Sequence, residues 1–106
     1  MQTQAQVKAL LEEEAVVEGE TETLPVELDA IPGAVWQMEL HSLMPPDIRV
    51  SLFERGSRKC ALLKFPRGGA EQALQAFETA LRAANAVSHE LHTNAARAAR
   101  AARRHA

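Results

Sequence analysis

The sequence predicts an α+β domain: a four-stranded antiparallel meander sheet packed on one long C-terminal helix, preceded by a short N-terminal helix. Three observations carry this prediction. Apolar and polar residues alternate with a period of two in successive runs between residues 24 and 55. A further run, 59 to 65, is apolar at nearly every position, and from Leu74 onward the apolar spacing changes to three and four residues. Strands in succession followed by a helix on one face define the α+β class. A chain of 106 residues has room for one core and no second domain.

Each element has a local reason. Residues 3–17 are good helix formers, with Val7, Leu10, Leu11 and Ala15 on one narrow stripe, so a short helix is expected that holds only if it docks. Residues 18–23 read as a polar connector with repelling charges. Together, residues 1–23 form an acidic N-terminal helix and linker. Leu24, Val26 and Leu28 then alternate with Pro25, Glu27 and Asp29; the proline, which cannot donate to a ladder, points to an edge strand. Pro32-Gly33 signals a turn. Trp36, Met38 and Leu40 alternate with Gln37, Glu39 and His41, predicting a second strand that Met44-Pro45-Pro46-Asp47 ends. Ile48, Val50 and Leu52 alternate with Arg49, Ser51, Phe53 and Arg55, and Arg55-Gly56-Ser57 closes a hairpin. The run from 59 to 65 is apolar on both faces; Ala61, Leu63 and Phe65 are assigned inward.

Pro66-Arg67-Gly68-Gly69 ends the strands. Leu74, Phe77, Leu81, Ala84 and Leu91 then form the stripe of a helix lying on a sheet, with Val87 just off it. The α+β domain is therefore residues 24–92. Residues 93–106 are an Ala/Arg-rich basic tail that extends the helix with nothing large to bury. So small a core makes a homodimer the expected assembly.

No run of 18 apolar residues is present, and the N-terminus lacks the basic-then-apolar layout of a signal peptide. Cys60 is the single cysteine and has no internal disulfide partner. These features predict a soluble, cytoplasmic protein that does not enter membranes. The near-neutral total charge of −2 conceals a division. Residues 1–47 carry ten carboxylates and one base, Lys8, for −9; residues 48–106 carry eleven Lys and Arg against four carboxylates, for +7. Such a dipolar surface speaks to partners rather than to fold, and it points to a polyanion.

If Ile48, Val50 and Leu52 face inward, then Arg49, Ser51, Phe53 and Arg55 face outward together, beside Arg58, Cys60, Leu62 and Lys64 on the next strand. A phenyl ring among four cations suits a nucleic-acid reader, since cations neutralise phosphates and a ring stacks on an unpaired base. The same surface suits a protein contact, with Phe53 and Leu62 against a partner and the cations as a rim. The segments Arg49-Val50-Ser51-Leu52-Phe53-Glu54-Arg55, Cys60-Ala61-Leu62-Leu63-Lys64-Phe65 and Ala73-Leu74-Gln75-Ala76-Phe77, in that order, resemble a purine-rich-element-binding (PUR) repeat over residues 34–91. That resemblance implies four strands followed by a helix, dimers, and single-stranded DNA or RNA held on the exposed sheet face. The positions it implies are Arg49, Phe53, Arg55, Arg58 and Lys64. The leading strands here are acidic, with Glu27, Asp29 and Glu39.

Arg97, Arg100 and Arg103, with Arg104 beside them, form a drifting helical stripe that can track phosphates or an acidic groove. Equally, they solubilise a helix end and complement its dipole. Arg67-Gly68-Gly69 reads as a connector, lacking the phosphate-loop and dinucleotide fingerprints. His89 and His92 flank Glu90, yet no four-ligand metal set is visible, and no cofactor is expected. No serine, histidine and acid fall at catalytic spacing, so no enzymatic role is predicted. The expectation is a non-enzymatic nucleic-acid-binding module; the alternative is an adaptor that grips an acidic protein with the same sheet face or the Ala/Arg helix. The acidic arm is either a soluble leader or an internal competitor folded over the basic face.

Overall fold

The computed structural model describes the backbone of residues 4–104 and the side chains of residues 4–90. Strand β1 (Val7–Leu10) is followed by a 3-10 turn (Glu12–Glu14), β2 (Val16–Glu18), β3 (Thr21–Leu28), helix α1 (Ala34–Leu43), β4 (Arg49–Arg55), β5 (Arg58–Pro66) and helix α2 (Ala70–Arg104). The fold is α+β as predicted, with a fully antiparallel sheet, but of five strands. β1 and β2 pair with the same edge of β3 and are the two halves of one interrupted strand. Across the sheet the order continues β3, β5, β4, so the connection is not a meander. After β3 the chain crosses through α1 to the far edge, and the β4–β5 hairpin folds back into the gap.

Two elements differ in type from the sequence prediction. Residues 34–43 form a helix rather than a strand. Trp36 and Leu40 are fully buried, whereas Met38, between them in the alternating pattern, is 72% exposed. A spacing of four serves a helix and a strand equally, and here Ala, Gln, Met, Glu and Leu tip the balance to helix. Pro32-Gly33 is the entry to this helix, with Gly33 as its N-cap, and Pro45-Pro46 follows its end. Of the expected helix over residues 3–17, residue 3 lies outside the described residues, and from Val7 onward the segment is strand and 3-10 turn instead. Its stripe is short, and pairing with β3 satisfies a backbone that an isolated helix would only marginally hold. The strand around Pro25 is also interior, between β1/β2 and β5, rather than an edge.

The inner face follows the predicted alternation. Leu24, Val26 and Leu28 on β3, Val50 on β4, and Ala61, Leu63 and Phe65 on β5 are buried. Ile48 is buried just ahead of β4. Against them lie Trp36 and Leu40 of α1 and Ala73, Phe77, Ala80, Leu81 and Ala84 of α2. Fully burying one such large side chain contributes roughly 1.5–3 kcal/mol. The hairpin β4–β5 turns through Gly56-Ser57, and β2–β3 through Gly19-Glu20. In both, glycine takes the first position with positive φ, 62° and 59°, matching the twist of the flanking strands. With 35 residues, α2 spans about 52 Å and accounts for most of the 62 Å long axis.

Among the described residues one polar side chain, Asn85, is buried in this core. The Ala5 N–H and the Trp36 Nε1–H both donate to Asn85 Oδ1 at 2.8 Å, and Asn85 Nδ2 donates to the Ala5 carbonyl at 2.9 Å. The amide thus joins α2, α1 and the N-terminal segment. Asn85→Ala orphans three buried groups, each worth about 1–3 kcal/mol when left unpaired, less whatever water recovers. We expect a loss of about 2–4 kcal/mol in urea denaturation and a red-shifted Trp36 emission. Unchanged stability would contradict a clamping role.

Candidate nucleic-acid interface

The alternation that buries Val50, Ala61 and Leu63 turns their neighbours to the opposite face. The β4–β5 register sets Arg49 opposite Lys64, Ser51 opposite Leu62, Phe53 opposite Cys60, and Arg55 opposite Arg58. All five sheet residues predicted as contacts, Arg49, Phe53, Arg55, Arg58 and Lys64, share this outer face. The same rows continue on β3 with Thr23, Pro25 and Glu27. Each end of the ladder therefore carries two cations directly opposed, with side chains starting about 4.5–5.5 Å apart, an unfavourable pairing in itself. Arg49 and Arg55 are six residues apart on one strand, about 20 Å.

The two cationic ends are treated differently. Among the described residues, Arg49, Lys64 and Arg58 have no side-chain hydrogen bond or ion pair. Arg55 Nη1 donates to Glu14 Oε1 at 2.7 Å, and its guanidinium lies 5.9 Å from the centroid of the Phe53 ring. The hydrogen bond and the charge of Glu14 raise the Arg55 pKa above its ordinary value, so the cation is held. β5 separates β3 from β4, about 10 Å apart, so the 3-10 turn reaches across β5 to make this contact. Cys60 is on the outer face of β5, between Phe53 of β4 and Glu27 of β3. It is only 1% exposed, although no core packs on that side, and Phe53 and Leu62 are half-buried.

Pro25 explains where the turn forms. On an extended strand the N and O of one residue point the same way, and the Pro25 carbonyl accepts from the Leu11 N–H on the β1/β2 side at 3.0 Å. The missing proline N–H therefore faces the edge strand, which has no donor to meet there. The edge strand leaves the ladder at this point, makes the 3-10 turn and rejoins as β2. Glu12, Glu13 and Glu14 sit on that turn, and Glu14 points to Arg55. Glu14 was the functional candidate that sequence reasoning missed; the proline in an alternating run was its available signal. Residues 5–18 are built into the fold, so they are not a detachable leader.

At the opposite end, Arg49 and Lys64 line an open concavity of about 510 Å³ together with Thr21, and Glu20 and Asp47 line it too. Residues 67–69 act as a connector: the Gly68 N–H donates to Glu22 Oε1 at 3.4 Å and the Arg67 N–H to the Glu20 carbonyl at 2.8 Å. Arg97, Arg100, Arg103 and Arg104 lie on α2, whose root packs on the inner face; their side chains are outside the described residues. No described helix is long and apolar enough to cross a membrane. The chain matches no family model, no curated protein and no solved structure.

The unpaired cations carry a stability signature. Lys64→Gln removes the repulsion with Arg49 and is expected to stabilise the fold by about 0.2–1 kcal/mol at low salt. That gain should shrink as salt screens the pair, which thermal denaturation at two ionic strengths will register. A loss of stability instead would mean that Lys64 has a favourable partner.

Proposed function

We propose that the protein is a non-enzymatic, cytoplasmic nucleic-acid-binding module that holds single-stranded DNA or RNA along the β4–β5 ladder, as a homodimer. The observation that carries this reading is the pair of like-charged cross-strand couples, Arg49 with Lys64 and Arg55 with Arg58, flanking Phe53 and Leu62 on one face. A fold tolerates opposed cations at some cost, and a phosphate backbone converts that cost into attraction. In this reading Arg49, Arg55, Arg58 and Lys64 contact phosphates and Phe53 stacks on a base. Arg97, Arg100, Arg103 and Arg104 serve as an auxiliary basic arm. The resemblance to PUR repeats is left to β4, β5 and α2, since residues 34–43 are helical.

A second reading is an adaptor for an acidic protein, using this face or the Ala/Arg helix. Phe53 favours it in one respect: a ring already shadowed by Arg55 offers a poor stacking surface as it stands.

Titration of labelled single-stranded DNA, duplex and RNA at about 50 and 200 mM salt separates the two, because phosphate binding weakens steeply as salt rises. We expect single strands to bind most tightly at the lower salt. Phe53→Ala should then cost about 1–3 kcal/mol per stacked base. Binding that ignores Phe53 would shift the assignment to the tail, and no binding to any nucleic acid at low salt would falsify the proposal.

A further inference from the structure

We infer that the 3-10 turn is an acidic strap, in which Glu14 occupies the Arg55 end of the outer face and must be displaced before a polyanion can engage Arg55 and Phe53. This inference rests on the nucleic-acid reading above and specifies how that same face is regulated. Three observations meet at that end of the face. Glu14 is paired with Arg55 at 2.7 Å across the full width of β5. The Arg55 guanidinium is drawn over Phe53, the ring that a base would need. Cys60, opposite Phe53 and facing away from the core, is nonetheless closed to solvent. The other outer-face cations, Arg49 and Lys64 at the far end and Arg58 opposite Arg55, have no ion-pair partner among the described residues, so one carboxylate offsets only one of the four cations.

A carboxylate is a fair stand-in for a phosphate, since an arginine fork grips either with charge-assisted hydrogen bonds. The strap is anchored on both sides, by the Ala5–Asn85 clamp and β1 before it and by the β2–β3 hairpin after it. Opening therefore moves a few residues that have left the ladder, and needs no unfolding of the sheet. Its contact is half-exposed, with side chains 58% and 35% accessible for Arg55 and Glu14, which suits a contact that exchanges readily. Charge competition also explains why the acidic and basic halves of the chain are kept in one small domain. The competitor is local to the site and always present.

Glu14→Gln tests this in the full-length chain, removing charge with little change of volume. In the ligand-free protein, the rate at which Cys60 reacts with a thiol reagent should rise several-fold, because its cover is loosened. Affinity for a labelled oligo-thymidylate at about 50 mM salt should tighten about two- to fivefold, the range an exposed ion pair supports. Two results overturn the strap: an unchanged Cys60 rate, or wild-type binding that Glu14→Gln leaves unaltered. If neither protein binds the oligonucleotide, the nucleic-acid reading fails and takes the inference with it. Arg55→Gln separates the cases further. It should speed Cys60 labelling as Glu14→Gln does, yet weaken oligonucleotide binding; tighter binding would count against Arg55 as the contested cation.

Discussion

Asn85 joins three parts of the chain by hydrogen bonds: α2, α1 and the N-terminal segment. Its carbonyl oxygen accepts from both the indole of Trp36 and the N–H of Ala5, while its amide nitrogen donates to the Ala5 carbonyl. For Ala5 the amide acts as a strand partner would, taking both backbone groups of one residue. Register follows from size as well as bonding. Ala5 is fully buried, and a slip of one residue would drive the Gln4 or Gln6 side chain into that space. At 7% exposure the cluster is dry enough that an unmade bond is costly, so the arrangement selects one position for the N-terminal segment. Apolar burial alone would accept several.

With the start of the edge strand fixed, the next constraint is the donor that Pro25 lacks. Two short stretches pair with β3 on either side of it, and the intervening residues have no reason to stay in plane. Excess chain must go above or below the sheet, and the inner side is filled by α1 and α2. The outer side is open and carries the cations of β4 and β5. The turn therefore goes where space and charge both favour it, and Glu14 of the acidic run reaches Arg55 of the basic hairpin. The Lys8–Glu27 contact at 3.9 Å, on the β1 side, adds little at such exposure.

The legible parts of this fold were those governed by alternation. The inward sets on β3, β4 and β5 follow directly from a period of two, including Ala61, Leu63 and Phe65 within a run apolar on both faces. The long helix and the Gly56 hairpin follow from equally local rules. What escaped was set by tertiary competition. Trp36 and Leu40 satisfy both periods, and only the exposure of Met38 distinguishes them. Residues 3–17 have helical composition, but from Ala5 onward a strand partner and the Asn85 clamp decide the state of the segment. The five proposed sheet contacts fall on one face by parity alone, whereas Glu14 lies 41 positions from Arg55 and is found only once the crossing is known.

Charge on the outer face is graded across the strands. Cations lie on β4 and β5 and the carboxylate of Glu27 on β3, while Glu14 reaches from the β3 side to Arg55. Neighbouring strands are about 5 Å apart, well inside the screening length of about 8 Å at physiological salt, so the acidic side reduces the potential over the middle of the sheet. A polyanion is thus favoured along the β4–β5 ladder and disfavoured across it. A ladder two strands wide offers one track of paired cations, which fits one flexible phosphate chain better than the two backbones of a duplex. The bias of the proposed reading toward single strands follows from this narrowness as much as from Phe53.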